Sequence, residues 1–301
     1  MVRRGELTDK AWQRIEPLPP AADSRGRPWR DHRQIINGIL WRLRTGAPWR
    51  AIPERYGPRQ TCYERFKRWD ADGTWARLLQ EMQVKDDSVG HVEWTADIDS
   101  TISRAHQHAA GARKRGTTAG RSIRSSRKGQ ALGRSRGGLT AKLHLITEAR
   151  GLPMAVQPAP GNVVDRTAFE AAIAALRLPR GGPGRPRTRP DRLIGDKGYP
   201  SKKTRSCLRR RGIQAVTPEH RNRTTDRRRK GSRGGRPPAS DSETYKQRNL
   251  VGRCFGKLEP WRAIATRLDK LAGRYLAGVT TDCLMPWLRQ AELSDTLQQD
   301  P

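Results

Sequence analysis

Asp97 and Asp99 flank Ile98 in an alternating stretch, residues 94–101, Trp-Thr-Ala-Asp-Ile-Asp-Ser-Thr. On a strand, both carboxylates point to one face. Two aspartates at the centre of a strand call for a cation opposite them. Taken alone, an Asp-x-Asp pair reads as a solvated strand edge more readily than as half of a divalent-metal site. Asp196 closes a second short apolar run, Arg192-Leu-Ile-Gly-Asp196. Carboxylates from separate strands suit one chemistry in particular, the cutting and joining of phosphodiesters. That reaction needs an activated oxygen nucleophile, neutralised charge at phosphorus and a stabilised leaving oxygen. A pair of Mg²⁺ ions held by acids supplies all three. The sequence holds no nucleophile elbow, P-loop or Cys/His constellation that points elsewhere.

The composition favours a polyanionic partner. Among 301 residues, Lys and Arg number 61 against 30 Asp and Glu, a net charge of +31. Nucleic acid is the default for such a chain, because each neutralised phosphate releases a counterion. A membrane surface is the weaker choice, since no basic amphipathic helix stands out and no apolar run is long enough to span a bilayer. Cys62, Cys207, Cys254 and Cys283 are scattered without a Cys-x-x-Cys pair. That spacing argues against a disulfide scaffold or zinc site and fits a reduced, cytoplasmic chain. The N-terminus is basic but has no apolar segment of signal-peptide type.

The elements that would position these acids fall into two groups. Residues 1–85 read as short helices: 9–17 behind a Thr8 cap, then a strongly amphipathic 31–44. A basic 61–70 follows, whose apolar stripe is Tyr63, Phe66 and Trp69, and then 75–84. Cations Arg65, Lys67 and Arg68 on the third helix give the pattern of a helix-turn-helix-like DNA-binding unit. A solvated basic face is the plainer alternative. Residues 86–90 read as a linker. From 92 to 295 the texture turns to strands at 94–101, 140–147, 153–157, 192–196 and 212–216. Helices are expected at 165–178 and 201–211, and as one long stretch from 242 to 276 with a further piece towards Leu288. Segments 104–138, 180–190 and 219–240 are basic, low in apolar residues and expected to be loops. His106 and His108 begin the first of these and are read as polar loop residues. The order is that of an α/β mixed sheet and fits an RNase H-like domain. In such a sheet, Asp99 at the end of the first strand and Asp196 at the end of the fourth meet at one edge.

Several blocks in order resemble bacterial insertion-sequence transposases of the insertion-sequence-five family. They are Leu7-Thr-Asp-Lys-Ala-Trp, Asp31 to Arg50, Asp99-Ser-Thr with Arg104-Ala-His-Gln-His, Gly195-Asp-Lys-Gly-Tyr199 and Tyr245 onward to Lys270. The resemblance implies an Asp-Asp-Glu triad holding two Mg²⁺ ions in an RNase H-like fold. It further implies double-stranded DNA as partner (the element's terminal repeats and a target), a homodimer on DNA, no membrane and a nucleoid-associated location. Asp99 and Asp196 match the two aspartates as catalytic and metal-binding residues. Tyr245 and Arg248 match a Tyr…Arg…Glu…Lys signature and are expected at the DNA.

The signature then departs from its pattern. Gly252 stands where the glutamate belongs and Glu259 where the lysine belongs. Gly has no ligand atom. Glu259 is seven residues on, about 10 Å along a helix, and Glu243 faces the opposite way. Asp97 is the nearest stand-in, expected from the wrong side of the site. The resulting expectation is a DNA transposase impaired at the third ligand. The alternative is a catalytically dead DNA-binding relative that competes with active transposases. A basic RNA-binding protein is a third reading, disfavoured by the ordered blocks.

Overall fold

The computed structural model describes the chain except residues 1–2, 4, 22–27, 111–129, 219–220, 236–241, 247 and 298–301. Four helices come first: α1 (Asp9–Ile15), α2 (His32–Thr45), α3 (Arg59–Ala71) and α4 (Thr74–Ser88). Thr8 caps α1 by accepting from the Ala11 amide, Asp31 caps α2 through the Gln34 amide, and Gly46 ends α2 in the left-handed region. Ile35, Ile36, Ile39, Leu40 and Leu43 of α2 are buried, as their spacing predicts. On α3 the expected stripe shifts. Tyr63 is 38% exposed, and the buried residues are Cys62, Arg65, Phe66 and Trp69. The residues expected to form a linker partly belong to α4, where Asp86 is buried.

The second half is a mixed sheet flanked by helices, RNase H-like in architecture. Its strands are β1 (Thr95–Ala105), β2 (Gly133–Ser135), β3 (Gly138–Thr147), β4 (Pro153–Pro160), β5 (Arg192–Gly195), β6 (Gln214–Val216) and β7 (Thr266–Arg267). β1 lies at the centre, antiparallel to β3 and parallel to β5, which in turn runs parallel to β6. β3 and β4 form the expected hairpin. The remaining helices are α5 (Gln107–Ala110), α6 (Asp165–Ala175), α7 (Lys202–Arg210), α8 (Arg221–Arg229), α9 (Ser242–Lys246), α10 (Asn249–Leu258), α11 (Arg262–Ala265) and α12 (Ala272–Leu297).

Alternation along β1 sends Ile98, Ser100 and Ile102 to one face and Asp97, Asp99 and Ser103 to the other. Ser100 bonds Asp165 at the start of α6, so α6 covers the first face. Ser103 receives a hydrogen bond from Tyr275 of α12, and α10 packs on β1, so those two helices cover the second. α12 also carries the helical N-terminal region, through a broad contact with α4.

Three expectations are corrected. The segment 104–138 is a loop only in part, since β1 runs on to Ala105, α5 follows, and β2 lies at its far end; its middle falls outside the described residues. Within 219–240 the structure forms α8, in which arginine is the commonest residue and no residue is apolar. The long helix expected over 242–276 is broken into α9, α10 and α11 and interrupted by β7. Pro260 cannot continue α10, because it lacks the amide. The one long helix is instead α12, reaching Leu297 with Pro286 inside it.

Candidate active site

Register brings the two aspartates together. β1 pairs with β5 from Thr95–Arg192 to Ile98–Gly195, and the pairing stops there. The next residue on each strand is Asp99 and Asp196, side by side where the strands part. A cleft of about 410 Å³ opens at this point, lined by Asp97, Asp99, Asp196, Tyr245, Arg248 and Gly252 among others.

The electrostatics reflect this convergence. Burial pushes the Asp99 carboxyl up, and the charges of Asp196 and Asp165 add to the effect. The Ser100 amide, donating to Asp99 Oδ1 at 2.7 Å, works the other way. Asp196 is exposed, and its Oδ1 accepts from the Gly198 amide at 2.8 Å. Asp97 is 2% exposed, and its Oδ2 has no hydrogen-bond partner. Burial, with Asp99 beside it, pushes Asp97 up to about 7, while a hydrogen bond from the Val251 amide opposes the rise. Asp97 therefore faces the first turn of α10, on the same side as Gly252 and not across the site from it.

One acid was missed from sequence. Asp165 opens α6, and a first-turn aspartate reads simply as a helix start. Its Oδ1 accepts from Ser100 Oγ at 2.8 Å and from Lys142 Nζ at 2.9 Å. A Cβ added at Gly198 would lie 3.0 Å from both Asp165 Oδ2 and Asp196 Oδ1. Asp165 thus borders the two aspartates, but its charge is already matched by Lys142. Behind it, Tyr199 and His144 form a buried pair at 2.9 Å. No spacing rule links residues 100, 142, 144, 165 and 199; only the sheet register does.

The third corner of the cleft carries no carboxylate. An added Cβ at Gly252 meets only Asn249 Oδ1, at 3.2 Å. Glu259 lies on a separate cleft with Thr101, Ile102 and Phe255, and Glu243 pairs with Lys246 on the surface. Among the described residues, no three acidic, His or Cys side chains come together so as to hold a metal ion. The residues present therefore do not fit the two-ion site that an Asp-Asp-Glu triad would make.

The expected DNA-contacting residues fall in two places. Tyr245 and Arg248 line the cleft, the Arg248 guanidinium lying over the Tyr245 ring at 4.8 Å. The signature helix is broken between them, with Tyr245 on α9 and Arg248 capping α10. On α3, Lys67 is exposed beside Glu64, and Arg68 lies over Trp29. Arg65 is 7% exposed, sits over Trp29 and Trp69, and donates to His32 Nδ1 at 2.6 Å. It supports the surface rather than presenting a free cation.

Comparison with known proteins decides the family. A family described as "Transposase DDE domain" matches residues 90–281, and one described as transposase of the IS4/5 family matches residues 7–79. The chain belongs to the DDE transposases. A protein named as transposase for insertion sequence element IS402 of Burkholderia cepacia is 32% identical over 51% of this chain and 67% of its own length. One named for element IS6501 of Brucella ovis is 27% identical over 50% of this chain and all of its own length. The uncharacterized protein y4sN of Sinorhizobium fredii is 38% identical over 36% of this chain and 83% of its own length. A solved pre-cleavage Mos1 transpososome superposes with a TM-score of only 0.25 at 10% identity, over 93% of this chain and 85% of that one. Within this DDE transposase, no helix among the described residues is long and apolar enough to cross a membrane.

Proposed function

We propose that this chain is a DNA transposase by descent that still grips double-stranded DNA but whose strand cleavage and transfer are impaired. The observation that carries the reading is Gly252. It lines the cleft with Asp97, Asp99 and Asp196 and offers no ligand atom where the family's glutamate would stand. In this reading residues 1–85 form a DNA-binding domain and 92–295 the catalytic domain. Asp99 and Asp196 are the two retained metal ligands and catalytic residues. Two Mg²⁺ ions, where a third carboxylate completes the site, would neutralise the phosphate under attack.

The chain's own residues support binding more fully than chemistry. Tyr245 and Arg248 offer an aromatic face and a guanidinium at the cleft, suited to a sugar–phosphate backbone. Lys67 and Arg68 offer further cations on α3, with Arg65 positioning Trp29 beneath Arg68. Asp99 and Asp196, left without a metal ion, repel phosphate. A fold that binds element ends without cutting them acts as a competitor of active transposases, and as a homodimer would occupy both ends.

The test is Mg²⁺-dependent cleavage of duplexes carrying the element's ends. The unaltered chain, Gly252→Glu, and Gly252→Glu with Glu259→Lys are compared. The expected order is little cleavage, then measurable cleavage in the first variant, then more in the second. Equal cutting by all three would falsify the impairment.

A further inference from the structure

A second cationic cavity lies away from the cleft, at the seam between the helical N-terminal region and the sheet domain. It is an open concavity of about 620 Å³ lined by Arg44, Lys257, Arg262 and Arg289 around Trp261, with the last three cations exposed to solvent. The four cations come from four segments: the end of α2, the end of α10, the start of α11, and α12. No carboxylate lies on the wall, and none of the four makes an ion pair with a described residue. Asp282, buried on α12 and without a hydrogen-bond partner on either oxygen, feels the charge of Arg289. The backbone at Gly5 passes close to Arg44, where an added Cβ would lie 2.7 Å from its Nη1.

Four like charges gathered in one cavity repel unless an anion joins them. A single phosphate can satisfy one or two such groups. A nucleic-acid strand presents a charge at every step, about 3.4 Å apart along the axis, and can meet all four. We propose that this cavity is a second DNA-backbone site, one that takes consecutive phosphates of a duplex and ties the helical region to the sheet domain around it. The proposal rests on the DNA-binding reading above and adds a place for that binding that no sequence motif marks.

Lysine labelling with an amine-reactive ester, read by mass spectrometry, tests it on the unaltered chain. The probes are a mixed-sequence duplex and, separately, inorganic pyrophosphate. The expected result is protection of Lys257 by the duplex, severalfold beyond that of Lys10. In parallel, Lys257→Glu with Arg289→Glu is expected to weaken duplex affinity by about tenfold or more. The slope of log affinity against log salt should fall by about 2, at roughly 0.9 per lost phosphate contact. Equal labelling of Lys257 with and without duplex overturns the proposal, even if the charge-reversed chain fails to fold. So does protection by pyrophosphate alone, which makes the cavity a small-anion site. If the unaltered chain binds no duplex at all, the broader DNA-binding reading fails together with it. Binding without Lys257 protection removes only this site.

Discussion

His144 shows how strongly the site depends on single groups. It is fully buried, hydrogen-bonded to Tyr199 through Nδ1, with Nε2 unpartnered. Burial pushes its pKa down to about 4 from an ordinary 6.5, with Asp165 resisting and Lys142 assisting. The folded state therefore holds a neutral imidazole where the unfolded chain takes up a proton. The contribution of His144 is full above pH 6.5 and is lost as pH falls towards 4, by about 3 kcal/mol. Asp97, raised to about 7, changes stability in the opposite direction over the same range, so the test is a difference. Urea midpoints of the unaltered chain should fall relative to those of His144→Gln as pH is lowered from 7 to 4, and a constant difference would contradict it. At this scale the sequence is partly legible. Asp97 and Asp99 could be placed on one face because strand alternation is strict, and Asp196 because it ends a short apolar run. Asp165, Lys142 and His144 could not be found, because cross-strand register and helix entry bring them together. Arg65 was legible as a cation but not as a buried one, since only the Trp29 and Trp69 rings explain its burial.

Among the elements, α2 is the one whose residues most directly set its packing. Gly38 sits mid-helix, where glycine costs about 1 kcal/mol relative to alanine. It is there because a Cβ would lie 2.8 Å from Tyr56 Cβ and 3.0 Å from Cys62 Sγ. Gly38→Ala is expected to lose the helix-propensity gain to overpacking and to destabilise the chain by about 1–3 kcal/mol. Thermal melting checks it, and a higher Tm would show that α2, Tyr56 and α3 can part without cost. The helices at 32–45 and 165–175 were legible because their apolar residues recur at helical spacing. The broken run after Ser242 was not, because Tyr245, Arg248 and Gly252 keep helical spacing across a break between α9 and α10. The same spacing that identified the family signature concealed its interruption. α8 was read as a loop because it has no apolar face, and in the structure it contacts chiefly the turn that follows it.

For the whole molecule, the helical region and the sheet domain are tied by buried contacts. Arg42 of α2 pairs with Asp269 at 3.0 Å, both side chains being almost fully enclosed. Removing one partner of such a pair strands the other's charge, so Arg42→Ala is expected to cost about 3 kcal/mol. Chemical denaturation measures it, and an unchanged midpoint would mean the pair is wetter than it looks. The charge balance made a polyanionic partner legible at once, whereas the seam cavity was not, because its four cations lie far apart in the chain. Above all, the cleft of Asp99 and Asp196 lacks a carboxylate at position 252. Calorimetric titration of Mn²⁺, as a stand-in for Mg²⁺, into the unaltered chain and Gly252→Glu tests this most directly. The prediction is weak binding by the unaltered chain and affinity higher by about tenfold or more in the variant, since affinity follows the number of charged ligands. Equal affinity in the two chains, abolished in both by Asp196→Asn, would contradict it.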